Sequence, residues 1–242
     1  MEFRKLIGLD HSNIGHFADR PNRFLALVDI ASENGEVLKG ERVHVHDPGR
    51  LKEILIRGAE LAVKKVDGPH RKTGWDLIAG KVDDMWVLVH SGYHRAISEA
   101  LLGDPDINPF GTVEDLKAEV SFGRSRMDFL MNMDDGSRVV VEVKGCSLTI
   151  DGAAIFPDVP TTRGTRHLRE LISLLDEGYR SGVLFLVFRK DSECFHPNED
   201  TDPAFAEAFR EAVDAGVEIY AVLLSYDGRS ILYHGEIPVC GR

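Results

Sequence analysis

A β-hairpin is predicted where the sequence reads Phe122-Gly-Arg-Ser-Arg-Met-Asp128-Phe-Leu130 and, after the turn signal Asp134-Asp135-Gly136, Val139-Val-Val-Glu142-Val-Lys144-Gly145. A hairpin centred on Asp135 places Asp128 opposite Glu142 and Arg126 opposite Lys144. The opposite face is apolar and is expected to be buried; it consists of Met127, Phe129, Met131, Val139, Val141 and Val143. The hairpin therefore has a core face and a second face that carries two carboxylates in register.

The two opposed carboxylates predict a site for a divalent cation. Directly opposed side chains lie about 4.5–5.5 Å apart at Cβ, and like charges at that distance are destabilising unless a cation lies between them. Mg²⁺ and Mn²⁺ prefer carboxylate oxygens, so Asp128 and Glu142 are the expected ligands, with the carbonyl of Val143 as a further one. Lys144 follows on the same face, where its amine can orient or deprotonate an attacking water.

A third acid is expected to join this face from the preceding strand. The segment Leu116–Ser121 comes before a turn at Gly123-Arg124, and a two-residue loop there places Glu119 opposite Asp128. Three acids converging on one sheet face favour a metal site, to which Glu119 would bind directly or through water. A bulge in either hairpin would shift this register.

A solvated lattice of ion pairs is the alternative interpretation of the same face. Asp128 and Lys144 are diagonal neighbours in the predicted register, as are Arg126 and Glu142. Surface pairs of this kind contribute roughly 0.2–1 kcal/mol each and need no function.

The order of these residues resembles a known nuclease pattern. An acid, followed after a hairpin by acid-x-Lys, is typical of the PD-(D/E)XK nuclease-like fold, which Asp128 and Glu142-Val-Lys144 match. Met127 stands where the name of that fold has a proline.

Composition limits the class of protein. The chain has 242 residues, is 43 % hydrophobic and carries a net charge of −11, which argues against a generally basic nucleic-acid binder but allows a local basic groove. Three cysteines without metal-ligand spacing, Cys146, Cys194 and Cys240, fit a reducing compartment. The N-terminus lacks a signal-peptide pattern and the longest apolar run, Val183–Phe188, is too short to cross a bilayer, so a cytoplasmic protein is expected.

Residues 1–90 are expected to form a small β-barrel. Strands are predicted over residues 23–31 and 37–46, around an Asn34-Gly35 turn, and again over residues 60–66, 75–79 and 85–90, with a short helix over residues 50–56. This arrangement suits an OB-like barrel, a fold that commonly binds nucleic acid, and also suits an SH3-like barrel.

Residues 91–242 are expected to form an α/β (α+β) domain. Helices are predicted over residues 93–102, over 161–178 with an apolar stripe, and from Pro203 to a stop at Gly216. Strands over residues 116–121, 127–133, 138–144, 183–188, 217–224 and 230–233 complete the order α-β-β-β-α-β-α-β. This order contains the core of the restriction-endonuclease-like fold.

The whole chain resembles the sugar fermentation stimulation protein A family. The matching stretches are Arg23-Phe-Leu-Ala, Asp47-Pro-Gly-Arg-Leu-Lys-Glu, Gly123-Arg-Ser-Arg-Met-Asp-Phe, Glu142-Val-Lys and Phe156-Pro-Asp-Val-Pro-Thr-Thr-Arg163-Gly-Thr-Arg-His167-Leu-Arg-Glu-Leu. The resemblance implies an OB-like N-terminal domain, a nuclease-like C-terminal domain, DNA binding and a regulatory link to sugar use. Asp47 stands where that family usually has Asn, which weakens any expectation that this loop touches phosphate.

Basic residues near the acids are candidates for phosphate contacts. Arg163, Arg166 and His167 fall in the first turns of a predicted helix, where backbone N–H groups already favour anions and arginine adds bidentate binding. Other candidates for nucleic-acid contact flank the acids or lie on the barrel: Arg124, Arg126, Arg50 and Arg23. In the alternative interpretation, Arg163 pairs with Asp158 or Glu170 and His167 only packs or caps the helix.

His44 and His46 alternate on one strand face and, with Asp47, form a weak candidate for a zinc site.

Three functions remain open from the sequence. The first is a DNA-binding nuclease that uses Mg²⁺ or Mn²⁺, with Asp128, Glu142 and Lys144 as catalytic residues. The second is a non-catalytic, DNA-binding regulator of sugar metabolism genes that has inherited the fold, and the third is an RNA-binding accessory factor. DNA is the more strongly favoured partner, and the oligomeric state stays open.

Overall fold

A computed structural model of the chain describes residues 3–32, 34–123 and 125–240. The chain forms two compact units: the first contains Met1–Tyr93 and Leu224–Tyr233, and the second contains His94–Leu223 and His234–Arg242. The expected boundary between residues 90 and 91 therefore falls within the first unit. The first unit also includes a C-terminal segment that sequence reasoning assigned to the second domain.

The first unit is built mainly from strands. In chain order these are β1 (Arg4–Gly8), β2 (Asn13–Asn22), β3 (Leu25–Ala31), β4 (Val37–His44), β5 (Glu60–Lys65), β6 (Trp75–Val82) and β7 (Met85–Leu88). β1 and β2 are additions to the strands that the sequence predicted. A 3₁₀ turn over Ser91–Tyr93 follows β7.

Strand pairing closes β2 to β6 into a barrel. β3 pairs with β2 and β4, β2 pairs with β5, and β5 pairs with β6, all antiparallel. A parallel contact between β4 and β6, at Val43–Trp75 and His44–Asp76, completes the circle. A five-stranded barrel closed by its third and fifth strands is the OB type, so this prediction is confirmed over the SH3-like alternative. Fully buried apolar side chains fill it, including Val28, Ile30, Val43, Leu61, Val63 and Leu77.

The segment 50–56 is not helical, which corrects the sequence-based expectation. Leu51 has φ +49°, in the left-handed region that breaks an α-helix, and its carbonyl accepts turn hydrogen bonds from the N–H groups of Ile54 and Leu55. Leu51 and Ile54 are buried, so their helix-like spacing reflects packing into the unit rather than a helix.

The second unit contains the three helices and the remaining strands of the described part of the chain. In chain order the elements are α1 (His94–Leu102), β8 (Val113–Phe122), β9 (Ser125–Met133), β10 (Arg138–Cys146), β11 (Thr149–Ile150), β12 (Ala153–Phe156), α2 (Thr162–Asp176), β13 (Arg180–Val187), β14 (Cys194–Pro197), α3 (Pro203–Ala215), β15 (Glu218–Tyr226) and β16 (Ser230–Ile237). The end of β15 and the start of β16 lie within residues 224–233 and therefore belong to the first unit.

The central sheet of the second unit has the strand order β8-β9-β10-β13-β15. β8, β9 and β10 are antiparallel, whereas β10, β13 and β15 are parallel. Both predicted hairpin registers are present, since Val140 pairs with Leu130 in one and Val120 pairs with Met127 in the other. The small strands β11, β12 and β14, which the sequence did not predict, form a separate sheet.

Helices α2 and α3 pack together, and α2 also contacts β9, β10 and β13. Thr161 caps the start of α2, and its hydroxyl accepts the N–H of Gly164 at 3.1 Å. Asp202 caps the start of α3, and Gly216 ends it at φ +99°, a backbone conformation that favours glycine. The buried stripes of both helices meet the sheet in one apolar core that includes Leu168, Leu171, Phe185, Phe195, Phe205 and Phe209.

Two of the three cysteines, Cys194 and Cys240, form a disulfide with Cα atoms 5.7 Å apart, and Cys146 is buried as a thiol. This pairing differs from the sequence-based expectation, which took the three cysteines to fit a reducing compartment. Within the described residues, no helix combines the length and the apolar content that are needed to cross a membrane.

Candidate active site

Asp128 lies at the point where β9 and β10 separate. The last registered pair of the two strands is Val141 with Phe129. One residue further on, the Oδ2 atom of Asp128 accepts the backbone N–H of Val143 at 2.7 Å, so a side chain replaces the ladder bond. This contact holds the Asp128 carboxylate beside the strand that carries Glu142 and Lys144.

Glu142 is almost fully buried, with 3 % of its surface exposed. Its Oε1 atom accepts hydrogen bonds from the ammonium of Lys144 and from Nδ1 of His167, the latter at 2.5 Å. Its second oxygen, Oε2, is buried and has no hydrogen-bond partner among the described residues. A solvated ion-pair lattice does not describe this face, because its central acid is inside the protein.

The two acids influence each other's ionisation. Burial raises the pKa of Asp128, and the nearby charge of Glu142 raises it further, against the opposing N–H of Val143 and charge of Lys144. Burial alone would raise the pKa of Glu142, but the hydrogen bond from His167 and the charge of Lys144 bring it below its usual value. The surroundings therefore favour the ionised form of Glu142 and disfavour that of Asp128.

His167 holds Glu142 from helix α2. Its Nε2 atom accepts a hydrogen bond from Nε of Arg163 at 3.4 Å, so the ring proton must be on Nδ1, which donates to Glu142. His167 is only 1 % exposed. This corrects the expectation that His167 contacts nucleic acid, since the structure places it where it can position the acid instead.

Glu119 does not join the two acids as expected. The pairs on either side of it, Ala118 with Phe129 and Val120 with Met127, keep the predicted register. Glu119 itself has φ +60°, and its exposed carboxylate lies 2.8 Å from the guanidinium of Arg126. The left-handed backbone turns its side chain away from the position that regular β-geometry would give. The same ion pair accounts for Arg126, which was expected opposite Lys144.

The other arginines that were predicted to contact phosphate lie in different surroundings. Arg163 and Arg166 are exposed on the first turns of α2, and Arg166 lines a cavity of about 470 Å³ and lies 3.7 Å from Glu170. In the first unit, Arg50 and Arg23 are exposed, and the Arg23 guanidinium lies 4.8 Å from the ring centre of Phe24. Arg124 lies outside the described residues.

The proposed group of His44, His46 and Asp47 does not form. Asp47 instead accepts the backbone N–H of Gly49 at 2.8 Å. His46 lies against Asp76 and His90, which the sequence did not connect with it.

Sequence reasoning missed His94, a half-buried side chain at the start of α1. Its ring stacks against Phe188 at 5.4 Å and fills the space next to the α-carbon of Gly145, where an added Cβ would lie 2.2 Å from Cε1 of His94. Burial lowers the pKa of His94 to about 4, and the charge of Lys144 acts in the same direction. No local pattern links a histidine to a glycine so far along the chain.

The acids fit a hard divalent cation. Glu142 offers a buried carboxylate oxygen that lacks a hydrogen-bond partner among the described residues, and Asp128 offers a second carboxylate that feels the charge of the first. A cation would satisfy that oxygen and relieve the repulsion between the acids. Lys144 lies beside them with its side chain 16 % exposed and its ammonium paired with Glu142.

Comparison with known proteins shows what this chain is similar to. Residues 92–230 match the model of the sugar fermentation stimulation protein RE domain, and residues 19–89 match the SfsA N-terminal OB domain. A sugar fermentation stimulation protein homolog of Methanococcoides burtonii is 44 % identical over 91 % of this chain and 89 % of its own length. A homolog from Methanothermobacter thermautotrophicus is 43 % identical over 88 % and 86 % of the two chains.

A solved structure agrees with the same assignment. The structure of Pyrococcus furiosus SfsA in complex with Ca²⁺ superposes with a TM-score of 0.85, at 30 % identity, and covers 98 % of this chain and 99 % of that one. Two family models together match most of the chain, and the relatives match it over most of its length. This chain therefore belongs to the sugar fermentation stimulation protein family.

Proposed function

We propose that this protein is a cytoplasmic, DNA-binding phosphodiesterase that uses Mg²⁺ or Mn²⁺ held by Asp128 and Glu142. The observation that carries the proposal is the unpartnered Oε2 of the buried Glu142, beside the half-buried side chains of Asp128 and Lys144. Buried polar atoms normally have hydrogen-bond partners, so an acceptor without one beside a second acid points to a cation ligand. The P. furiosus relative was solved with Ca²⁺, which prefers oxygen ligands as Mg²⁺ does.

The residues of the site would divide the work of phosphodiester hydrolysis. A water oxygen forms a bond to phosphorus, the bond from phosphorus to one sugar oxygen breaks, and a water proton ends on that sugar oxygen. The bound ion would supply charge stabilisation for the phosphoryl oxygens. Lys144 would hold the attacking water or a phosphate oxygen with its amine protons, and His167 would keep Glu142 in its ligand position.

Phosphate contacts would come from the exposed start of α2. Arg163 and Arg166 project from its first turns, where the helix dipole favours anions. Their side chains add the bidentate geometry that suits a phosphate. DNA is the proposed substrate, and RNA is the alternative that a cleavage assay must also test.

The decisive experiment is a cleavage assay on single-stranded, duplex and branched DNA and RNA, with Mg²⁺, Mn²⁺ or EDTA. We expect metal-dependent products from the wild type and a loss of about a hundredfold or more in Lys144→Gln and Glu142→Gln. The matched control is Lys117→Gln on β8, whose exposed side chain pairs with Asp115 at 3.4 Å. This control is expected to cleave like the wild type.

Ion binding can be measured independently of cleavage. Ca²⁺ should raise the Tm of the wild type and fail to do so in Glu142→Gln, because an ion that binds only the folded state stabilises it. Wild-type protein that binds DNA and Ca²⁺ but cleaves no substrate with any ion would favour the non-catalytic regulator. Equal Ca²⁺ effects in both proteins would instead reject the proposed ligands.

A further inference from the structure

A second group of metal-ligating side chains lies in the first unit, among residues with no part in the proposed cleavage. It consists of His46 after β4, Asp76 on β6 and His90 after β7. One ligand atom from each side chain lies within 4.8 Å of the other two. We propose that these three residues bind a divalent transition-metal ion of the zinc class.

Strand pairing brings the three residues to one end of the barrel. His44 is registered with Asp76 across the parallel contact of β4 and β6, so His46 follows close by. The N–H of Val89 donates to the carbonyl of Ile78 at 3.0 Å and continues the β6–β7 pairing toward His90. The three ligands thus come from separate segments that the barrel holds together.

The burial of the group is suited to a ligand site. Asp76 is 7 % exposed and His90 8 %, whereas the side chain of His46 is 26 % exposed and leaves a path from solvent. Nε2 of His46 is buried and lies 3.2 Å from Oδ1 of Asp76, but it makes no hydrogen bond to any described residue. A buried ring nitrogen that faces a carboxylate without a hydrogen bond is the arrangement that a shared cation would complete.

A contact outside the trio orients the carboxylate. Arg71 pairs with Asp76 through the same Oδ1 atom that faces His46, which helps to orient the carboxylate and compensates part of its charge. Partners of this kind commonly hold metal-binding carboxylates in position. The hydroxyl of Ser91 donates to the carbonyl of His46 at 2.8 Å and ties the His46 segment to the one that contains His90.

The donor set determines the class of ion. Two imidazoles and one carboxylate are typical of Zn²⁺, Fe²⁺, Co²⁺ and related ions, whereas Mg²⁺ and Ca²⁺ prefer oxygen ligands throughout. With three protein ligands, the ion would keep a position for water. The site therefore differs in metal class from the acidic pair of the second unit.

Binding must rearrange the two histidines. The rings of His46 and His90 are stacked, with centres 3.6 Å apart and planes 24° apart. A metal ion binds in the plane of an imidazole ring, so stacked rings cannot both point at it until at least one has rotated. Metal binding should therefore change the NMR signals of these imidazole rings, which can be measured in addition to the number of ions bound.

The test uses the full chain after removal of metals with EDTA, followed by titration with Co²⁺ as a spectroscopic substitute for Zn²⁺. We expect one equivalent to bind with the visible absorption of low-coordinate Co²⁺, to shift or broaden the imidazole NMR signals of His46 and His90, and to be displaced by Zn²⁺. His90→Gln should weaken binding about tenfold or more, and Asp76→Asn should do the same.

Two controls locate the ion. His44→Gln changes a ring that lies 4.3 Å from that of His46 but is outside the trio, and Glu142→Gln removes the acid of the other proposed site. Both should keep the Co²⁺ equivalent that shifts the imidazole signals of His46 and His90, even where Glu142→Gln removes binding at the acidic pair. Asp76→Asn also loses part of its contact with Arg71, so the unfolding of each variant would be measured without metal. If Asp76→Asn does not fold, the Co²⁺ affinity of His90→Gln alone tests the proposal.

Three outcomes would overturn the proposal. These are the absence of saturable Co²⁺ binding, equal affinity in His90→Gln and the wild type, and loss in Glu142→Gln of the Co²⁺ equivalent that shifts the imidazole signals. The last result would show that the ion had bound at the acidic pair instead.

Discussion

At the scale of single residues, the buried contact between His167 and Glu142 is the part of the acidic site that can be tested most directly. His167→Ala would remove the Nδ1 donor and leave Lys144 as the remaining donor that the structure shows on Oε1. We expect a loss of about 1–3 kcal/mol in the free energy of unfolding and weaker Ca²⁺ binding. Urea unfolding and a Ca²⁺ titration measure these two effects.

A second histidine provides the control for that substitution. His196 is half-buried, and its ring nitrogen contacts only the neighbouring carbonyl of Pro197 in the described structure, at 3.0 Å. His196→Ala should leave Ca²⁺ binding unchanged. Identical Ca²⁺ affinity in His167→Ala and the wild type would show that His167 is needed for packing alone.

Gly145 adjoins Lys144, and its missing side chain is a requirement of the fold. In Gly145→Ala, the new Cβ would lie 2.2 Å from Cε1 of His94, so either the ring or strand β10 must move. We expect a cost of about 1–3 kcal/mol and reduced cleavage. A double-mutant cycle with His94→Ala should recover much of the lost stability, because it removes the colliding ring. Additive effects of the two substitutions would contradict this explanation.

The pH dependence of stability should contain a contribution from His94. Its pKa is lowered to about 4 in the folded protein, against about 6.5 in the unfolded chain. As the pH falls below about 6.5 the unfolded state takes up a proton that the folded state refuses, so stability declines until the pH passes about 4. His94→Gln should lose less stability than the wild type between pH 7.5 and pH 4.5 in urea unfolding. Parallel curves would show that His94 does not contribute.

At the scale of helices and strands, Asp202 links the starts of two helices. Its Oδ1 accepts the N–H of Phe205 at 3.0 Å to cap α3, and its Oδ2 accepts the N–H of Thr161, the cap of α2, at 2.7 Å. Asp202→Ala should cost about 1–3 kcal/mol and also reduce cleavage, since α2 carries His167 and Arg163. The matched control is Asp214→Ala, an exposed position near the end of α3, which should change neither quantity.

How far the sequence predicted each element depends on the range of the interaction that forms it. The register of β9 and β10 was predicted from the alternation of apolar and charged residues around the turn between them. The ends of α3 were predicted from Pro203 and Gly216. Both signals are local in the sequence. The helix expected near Leu51 failed because apolar spacing does not reveal a left-handed backbone at that residue. The short strands β11, β12 and β14 depend on each other for pairing and carry little pattern of their own.

The candidate site shows the same limit. The sequence predicted that Asp128, Glu142 and Lys144 lie together because they share one hairpin, whereas the contacts of these residues with other elements depend on tertiary packing. The position of His167 in the first turns of α2 was predicted, but its burial against Glu142 was not. Similarly, regular β-geometry pointed to Glu119, and a single positive φ redirected it to Arg126.

At the scale of the whole molecule, the net charge of −11 constrains the proposed DNA binding. An acidic protein repels DNA except where basic residues are concentrated, so few phosphates should be contacted and the salt dependence should be shallow. Arg163→Ala and Arg166→Ala should each weaken binding and reduce the slope of log K against log salt by about 0.9 on duplex DNA. Fluorescence anisotropy at several salt concentrations measures this slope.

Arg210→Ala is the control, because Arg210 is equally exposed on α3 but pairs with Glu199 at 3.1 Å. If all three variants keep the wild-type slope, DNA does not bind along the start of α2, and the exposed arginines of the barrel, Arg23 and Arg50, become the next residues to substitute.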